Sequence, residues 1–284
     1  MTISAKIIAH SISPYHDIPL ITWVLRYHRF VHAELMTHRQ FSRNASSSRA
    51  IPVSKMIQWT KEDPAVPVEW GKNVSGMQAK ELLDAETAAK AELVWLEARD
   101  DAIKHTERLL ELGVHKQIAN RVLEPWHHIA VVLSGTDFAN WFTLRDHKDA
   151  QPEIRALAAE MREQFLASVP KLLHDGEWHL PFIRETEMAE NTQSDLLKMS
   201  VARCARVSYM NHDGSNPDKA KDIALHDMLV VAKPLHASPA EHQATTMPHG
   251  YDEYAACGNF RRGWRQYRKT LPGECATTYP WDNK

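Results

Sequence analysis

The segment Thr37-His38-Arg39-Gln40-Phe41-Ser42-Arg43-Asn44-Ala45-Ser46-Ser47-Ser48-Arg49 is the part of the chain best equipped for chemistry. It carries hydroxyls, turn-forming residues and the cations Arg39, Arg43 and Arg49, and no carboxylate. Hydroxyls, turn amides and guanidinium forks together suit a phosphate. The same residues also suit a solvated basic loop after an edge strand, and residue types alone leave the two readings level. The histidines are less informative. His28 and His32 are four apart, and His127-His128 is a bare pair. Neither matches the HExxH or Cys/His spacing of a zinc site, so structural or surface roles and no metal are expected. Cys204 lies in Ala202-Arg203-Cys204-Ala205-Arg206, where cations favour the thiolate, but a buried structural thiol is the preferred reading. No dinucleotide fingerprint, phosphate-binding P-loop or nucleophile elbow occurs. The basic and aromatic stretch Phe260-Arg261-Arg262-Gly263-Trp264-Arg265-Gln266-Tyr267-Arg268-Lys269 suits stacking on single-stranded nucleic acid, or closing an active site at a subunit contact.

The elements that must position these groups follow from periodicity. Residues 20–35 alternate as a strand, with Ile21, Trp23, Leu25 and Tyr27 on one face. Residues 61–76, with Pro64, Pro67, Gly71 and Gly76, read as an irregular connection. A long helix is expected over 78–112, with Gly113 as its stop and Leu82, Leu83, Leu93, Leu96, Ile103, Leu109 and Leu110 in the core. Further helices are expected at 116–123, 151–174, 193–206 and 218–233, and 129–144 is a largely apolar stretch. Ser238-Pro239-Ala240-Glu241 reads as a helix start, with Ser as cap, Pro first and Glu reaching back. Ser13-Pro14-Tyr15-His16-Asp17 echoes Ser238-Pro239-Ala240-Glu241-His242.

The chain has 284 residues, a net charge of −2, and 43% hydrophobic and 25% charged residues. That length supports a sizeable core without staples. The charge argues against a non-specific duplex binder. No apolar run approaches the ~18 residues of a membrane span. Three cysteines without a CxxC pair argue against a disulfide framework, and with an N-terminus lacking a secretory pattern they point to the cytoplasm.

His38-Arg39, seven residues, then Ser47, with Asn44 inside and Arg49 two beyond, resembles the signature of the flavin-dependent thymidylate synthases. Gly113-Val114, Ile118-Ala119 and Val122-Leu123 resemble a helix of that family. Asn140-Trp141-Phe142-Thr143-Leu144-Arg145, then Ala150-Gln151 and Glu153-Ile154, resembles its next block. Ala205-Arg206-Val207-Ser208-Tyr209 and His236-Ala237-Ser238-Pro239-Ala240-Glu241-His242 resemble its N-terminal region, yet follow the other blocks. The chain thus resembles a divergent, rearranged member, of the kind a circular permutation produces.

The resemblance implies an α+β fold, with an antiparallel sheet, packed helices and one long helical segment. It implies a single catalytic domain over 1–284, with 78–112 as a helical insertion. The implied activity is methylation of dUMP at C5, with methylenetetrahydrofolate giving the carbon, NADPH the electrons and FAD the hydride. His38, Arg39, Asn140, Ser208, His236 and Ser238 would contact FAD. Ser47, Arg49 and Arg121 or Asn120 would hold the nucleotide phosphate, and Arg145 would face the pyrimidine as the catalytic group. Family sites are shared within a homotetramer, so a homo-oligomer is expected. Thr37, Ala45, Glu34, Asn120, Ser134 and Thr136 depart from the family's residues. These departures keep two alternatives open: a deoxypyrimidine such as dCMP, methylated or hydroxymethylated, or a nucleotide- or RNA-binding module without catalysis.

Overall fold

The computed structural model describes residues 3–207, 211, 215–231, 235–248, 254–261 and 263–275. Strand β2 (Pro19–His28) lies between β1 (Ser4–Ile12) and β4 (His128–Gly135), antiparallel to both. Strand β3 (Ser42–Ala45) pairs with β4 and forms one edge. At the other edge β5 (Lys171–Leu172) joins β1 in parallel. The fold is α+β, with antiparallel-rich sheets.

Alternation along β2 sorts this sheet into two unlike faces. Ile21, Trp23, Leu25 and Tyr27 are all fully buried, and their cross-strand partners include Val131 and Leu133. Helix α6 (Pro152–Ala167) covers this face with Ile154, Leu157, Ala158 and Met161, and α5 (Ala139–Arg145) adds Trp141. Each such side chain contributes about 1.5–3 kcal/mol of burial. The opposite face presents Thr22, Val24, Arg26 and His28, with Ser134, Val132, Ala130 and His128 across from them.

The strand stops at His28, shorter than the alternation suggests. A 3-10 turn (Arg29–Val31) and the short helix α1 (His32–Met36) follow, anchored by the Arg29 amide on the His127 carbonyl at 2.8 Å. His28 and His32 therefore do not share a strand face; His32 bonds the Tyr27 hydroxyl at 2.7 Å instead.

Helix α2 (Val53–Glu62) follows the β3 loop, and α3 (Ala85–Glu111) is the long helix. It starts later than residue 78 because 70–83 turns back on itself, Gly71 bridging Leu82, before Asp84 caps the Thr87 amide at 2.9 Å. Gly113, at φ +77°, ends it as expected. The expected core of α3 is largely corrected. Ile103 is buried and Leu109 packs beside it, but Leu82, Leu93 and Leu110 are exposed, because only a narrow stripe that includes Trp95, Ala102, Ile103, Thr106 and Leu109 meets the body. Helix α4 (Lys116–Ala119) runs into a 3-10 turn (Asn120–Trp126). Helix α6 ends at Ala167, short of 174, and the chain beyond it joins the sheet as β5.

The C-terminal part folds back onto the polar face. Helices α7 (Glu185–Glu190), α8 (Gln193–Arg206) and α9 (Lys219–Val231) are tied by Arg203, which is 1% exposed and bonds Glu187 at 2.7 Å and Asp222 at 2.9 Å. Burial raises the Glu187 carboxyl, but bonds from Arg203 and Arg184 hold it down to about 2. Strands β6 (Trp178–His179), β7 (Ala244–Thr246) and β8 (Trp264–Gln266) form a second, antiparallel sheet, and the short helix α10 (Tyr254–Cys257) precedes β8. Ser238–Glu241 forms a single 3-10 turn without a side-chain cap, since the Glu241 carboxylate pairs with Arg268 rather than reaching back. The tail aromatics Phe260 and Trp264 are core residues at 5% and 0% exposure, so they offer no stacking surface.

Candidate active site

The polar face of the main sheet is covered by the C-terminal part at one end and open at the other. The open end is a cleft of about 720 Å³. One wall is the loop carrying Ser46, Ser47 and Ser48, which continues from β3: the Ser46 amide donates to the Ala130 carbonyl at 2.8 Å. Lys55 and Trp59 of α2 form a second wall, with the Lys55 ammonium 5.2 Å from the indole centroid. Arg26 and Arg29 enter from β2 and its 3-10 turn, and Arg206 and Val207 close the cleft from α8. Val207 holds φ at 59°, an unusual conformation for a β-branched residue, and it turns the chain at the cleft mouth. Glu124 serves three donors: Arg29 at 3.0 Å, Arg121 at 2.8 Å and the Ser48 hydroxyl at 3.0 Å. Glu124 is thus shared by two cations, while Arg26 pairs with Asp63 and Arg206 with Asp222. Burial, with Arg26 next in effect, lowers the His128 imidazole to about 3, so it lines the cleft as a neutral acceptor for Arg26 at 2.9 Å.

A second cluster lies on the apolar face. Arg145, at the end of α5, donates from Nε to His38 Nε2 at 2.9 Å and from Nη2 to the Thr37 hydroxyl at 3.2 Å. Trp141 meets the His38 ring edge-on at 4.9 Å. Burial, then Arg145 and Arg43, lower the His38 pKa, so His38 is the neutral acceptor of the pair. Arg43 fixes this corner by donating to the His38 carbonyl at 2.8 Å.

On the other side of β3 sits the turn holding Ser238. Asn44, with its amide oriented to donate, bonds the Ser238 carbonyl at 3.1 Å and His242 Nε2 at 3.2 Å. From there one directional chain runs into the core. His242 Nδ1–H donates to Ser134 (2.8 Å), whose hydroxyl donates to Thr22 (2.6 Å). Thr22 donates to His179 Nε2 (2.8 Å), and His179 Nδ1–H donates to Ser11 (2.8 Å). Both imidazoles are pushed down to about 3 by burial, so both are neutral and each tautomer is fixed.

The family model for the thymidylate synthase complementing protein matches residues 5–171, more than half of the chain. The chain belongs to this family. The match runs from β1 to Lys171, and the C-terminal part beyond it packs onto the matched sheet through His242 and Asn44. Two solved structures of the UMP/dUMP methylase PolB from Streptomyces cacaoi, bound with 5-Br UMP and with 5-Br dUMP, are 18% and 17% identical. They align over 58% of this chain and 89% and 90% of theirs, each with a TM-score of 0.48. No protein in the curated set matches.

The residues expected from the thymidylate synthase complementing family's pattern divide into three groups. Ser47 lines the cleft; Arg49, on the same loop, is exposed and does not line it. Asn120 lies behind the loop, fully buried, and Arg121 is exposed on Glu124. His38, Arg39, Asn140 and Arg145 belong to the α5 side, and His236 and Ser238 to the segment that forms the Ser238–Glu241 turn; Ser208 lies outside the described residues. Cys204 is fully buried with its thiol pushed up, hence inert. Sequence reasoning missed Arg26, Arg29, Lys55 and Trp59 as cleft residues. For Arg26 the alternation of β2 carried a signal, because it put a cation on the face opposite the core. Among the described residues no group of His, Cys, Asp or Glu is arranged to hold a metal, and no helix is long and apolar enough to cross a membrane.

Proposed function

We propose that this protein methylates dUMP at C5 to give dTMP, using methylenetetrahydrofolate as carbon donor and FAD reduced by NADPH. The observation that carries the reading is the cleft wall. The loop after β3, inside the span that matches the family, offers Ser hydroxyls and amides to an anion beside Arg29. Ser47 would hold the 5′-phosphate from this loop, and Arg49, exposed outside the cleft, would turn in to reach it. Arg145 would donate to a pyrimidine carbonyl and stabilise the negative charge that develops toward C5. Its bond to neutral His38 aims the guanidinium without neutralising it.

FAD is compatible with the residues present. Arg39, Asn140, His236 and Ser238 are exposed, and their side chains make no hydrogen bond with any described residue. Such groups can serve the oxygens of a flavin dinucleotide, Arg39 and Asn140 with His38 on one side of β3 and His236 and Ser238 on the other. When bound, FAD supplies the hydride that completes the methyl group. Arg145 and the cleft lie on opposite faces of one sheet. That separation supports a homo-oligomer in which one copy's Arg145 serves another copy's cleft. A second reading, with dCMP as substrate, draws on Glu62 and Asp63 at the cleft, since a carboxylate accepts from the cytosine amino group.

Titration of FAD into the purified protein tests the cofactor, and calorimetry with dUMP and dCMP tests the substrate. The expected results are a perturbed flavin spectrum and tighter binding of dUMP. An unchanged spectrum removes FAD from the account, and preference for dCMP moves it to the second reading.

A further inference from the structure

We infer that Asn120 is a positioning residue that turns the carbonyls of the 46–51 loop away from the cleft, so that the loop's amides face the bound anion. The inference rests on the reading of this cleft as a nucleotide site. Asn120 is 0% exposed, so it cannot itself touch a ligand in the cleft. Its Nδ2 donates to the Ser48 carbonyl at 2.7 Å and to the Ile51 carbonyl at 3.0 Å. Lys116 takes the Ala50 carbonyl at 3.2 Å, and the Ala50 amide takes the Ser47 carbonyl at 3.0 Å. The four carbonyls of residues 47, 48, 50 and 51 are thus all engaged.

In a trans peptide the carbonyl and the following amide point in opposite directions. With the Ser48 carbonyl held on Asn120, the Arg49 amide points away from it. The amides of Ser47, Ser48 and Arg49 make no hydrogen bond with any described residue. Successive unpaired amides of this kind form an anion cradle. Asn120 Oδ1 is buried and has no partner among the described residues. A residue kept for packing alone would not carry that unsatisfied acceptor, so the amide is retained for its two donors.

The test compares dUMP with deoxyuridine, which lacks the phosphate, by calorimetry on the wild type, Asn120→Ala and Asn120→Asp. Hydrogen exchange over residues 46–51 is followed in the ligand-free proteins. Asn120→Ala is expected to weaken dUMP on the order of tenfold, leave deoxyuridine unchanged, and speed exchange over the loop before any ligand is added. Asn120→Asp keeps the size of the side chain. Its protonated form donates to one carbonyl and its ionised form repels both, so dUMP affinity should fall with rising pH relative to wild type. Equal weakening of both ligands, or a loop unchanged in exchange, overturns the positioning role. If Asn120→Ala does not fold, an Asn120→Asp protein that matches wild type at every pH overturns it as well. Failure of the wild type to prefer dUMP over deoxyuridine would instead remove the nucleotide reading itself.

Discussion

Acid should unfold this protein early, and the cause is the buried chain through His242 and His179. Both imidazoles are 0–1% exposed, and each must stay neutral to keep its place between a donor and an acceptor. Burial holds both near 3, against 6.5 for an ordinary imidazole. The unfolded chain therefore binds protons that the folded chain refuses. The stability is fully present above 6.5 and is lost as pH falls from there toward 3. At about pH 5 each imidazole costs about 2 kcal/mol by linkage, and the two together about 4 kcal/mol. That is a large part of the 5–15 kcal/mol typical of a domain. His127, lowered to about 4, and His128, lowered to about 3, act in the same direction. The assay is urea unfolding at intervals between about pH 7.5 and pH 5 for wild type and His242→Gln, whose amide does not titrate. The slope of stability against pH in the variant should drop by one proton. Stability independent of pH in the wild type, or a variant with the wild-type slope, would show that the buried imidazoles do not set the acid limit.

Arg145→Ala should lower turnover by ~10²–10³ while FAD binding changes little, because its contact strengthens as charge develops; equal losses would put Arg145 in the flavin site. Arg49→Ala should weaken dUMP about tenfold and leave deoxyuridine unchanged, the modest effect expected of an exposed cation; calorimetry with both ligands checks it. Arg203→Ala should destabilise the fold by about 3 kcal/mol, the low end for a broken buried pair, because Glu187 and Asp222 lose a fully buried partner and keep only Arg184 and Arg206; an unchanged urea midpoint would mean that Arg184 and Arg206 compensate in full.

Local pattern made several of these features legible. The alternation in β2 foretold both the core face and the cation on the opposite face, and Gly113 marked the end of α3. The 193–206 helix falls at its expected bounds. What remained hidden depends on contacts distant in sequence. The amphipathic pattern of α3 could not reveal that one thin stripe would be covered. The strong start signal at Ser238 yields a single turn because Arg268, 27 residues on, takes Glu241. The tail's aromatics look like a binding surface in one dimension but fill the space beneath β8. At the cleft, Ser46–Ser48 could be read from residue types, whereas Arg26, Arg29 and Trp59 meet that loop only through sheet pairing and the packing of α2. Asn120 gave no local signal of its role, since its partners lie 72 and 69 residues away.

Identifying the nucleotide product decides whether the methyl group is transferred to C5 of dUMP. The purified protein is incubated with dUMP, methylenetetrahydrofolate, FAD and NADPH, and the nucleotides are separated and their masses determined. dTMP is the expected product, formed only when all four are present. Unchanged dUMP in that mixture, from a protein that binds both FAD and dUMP, would contradict methyl transfer to dUMP.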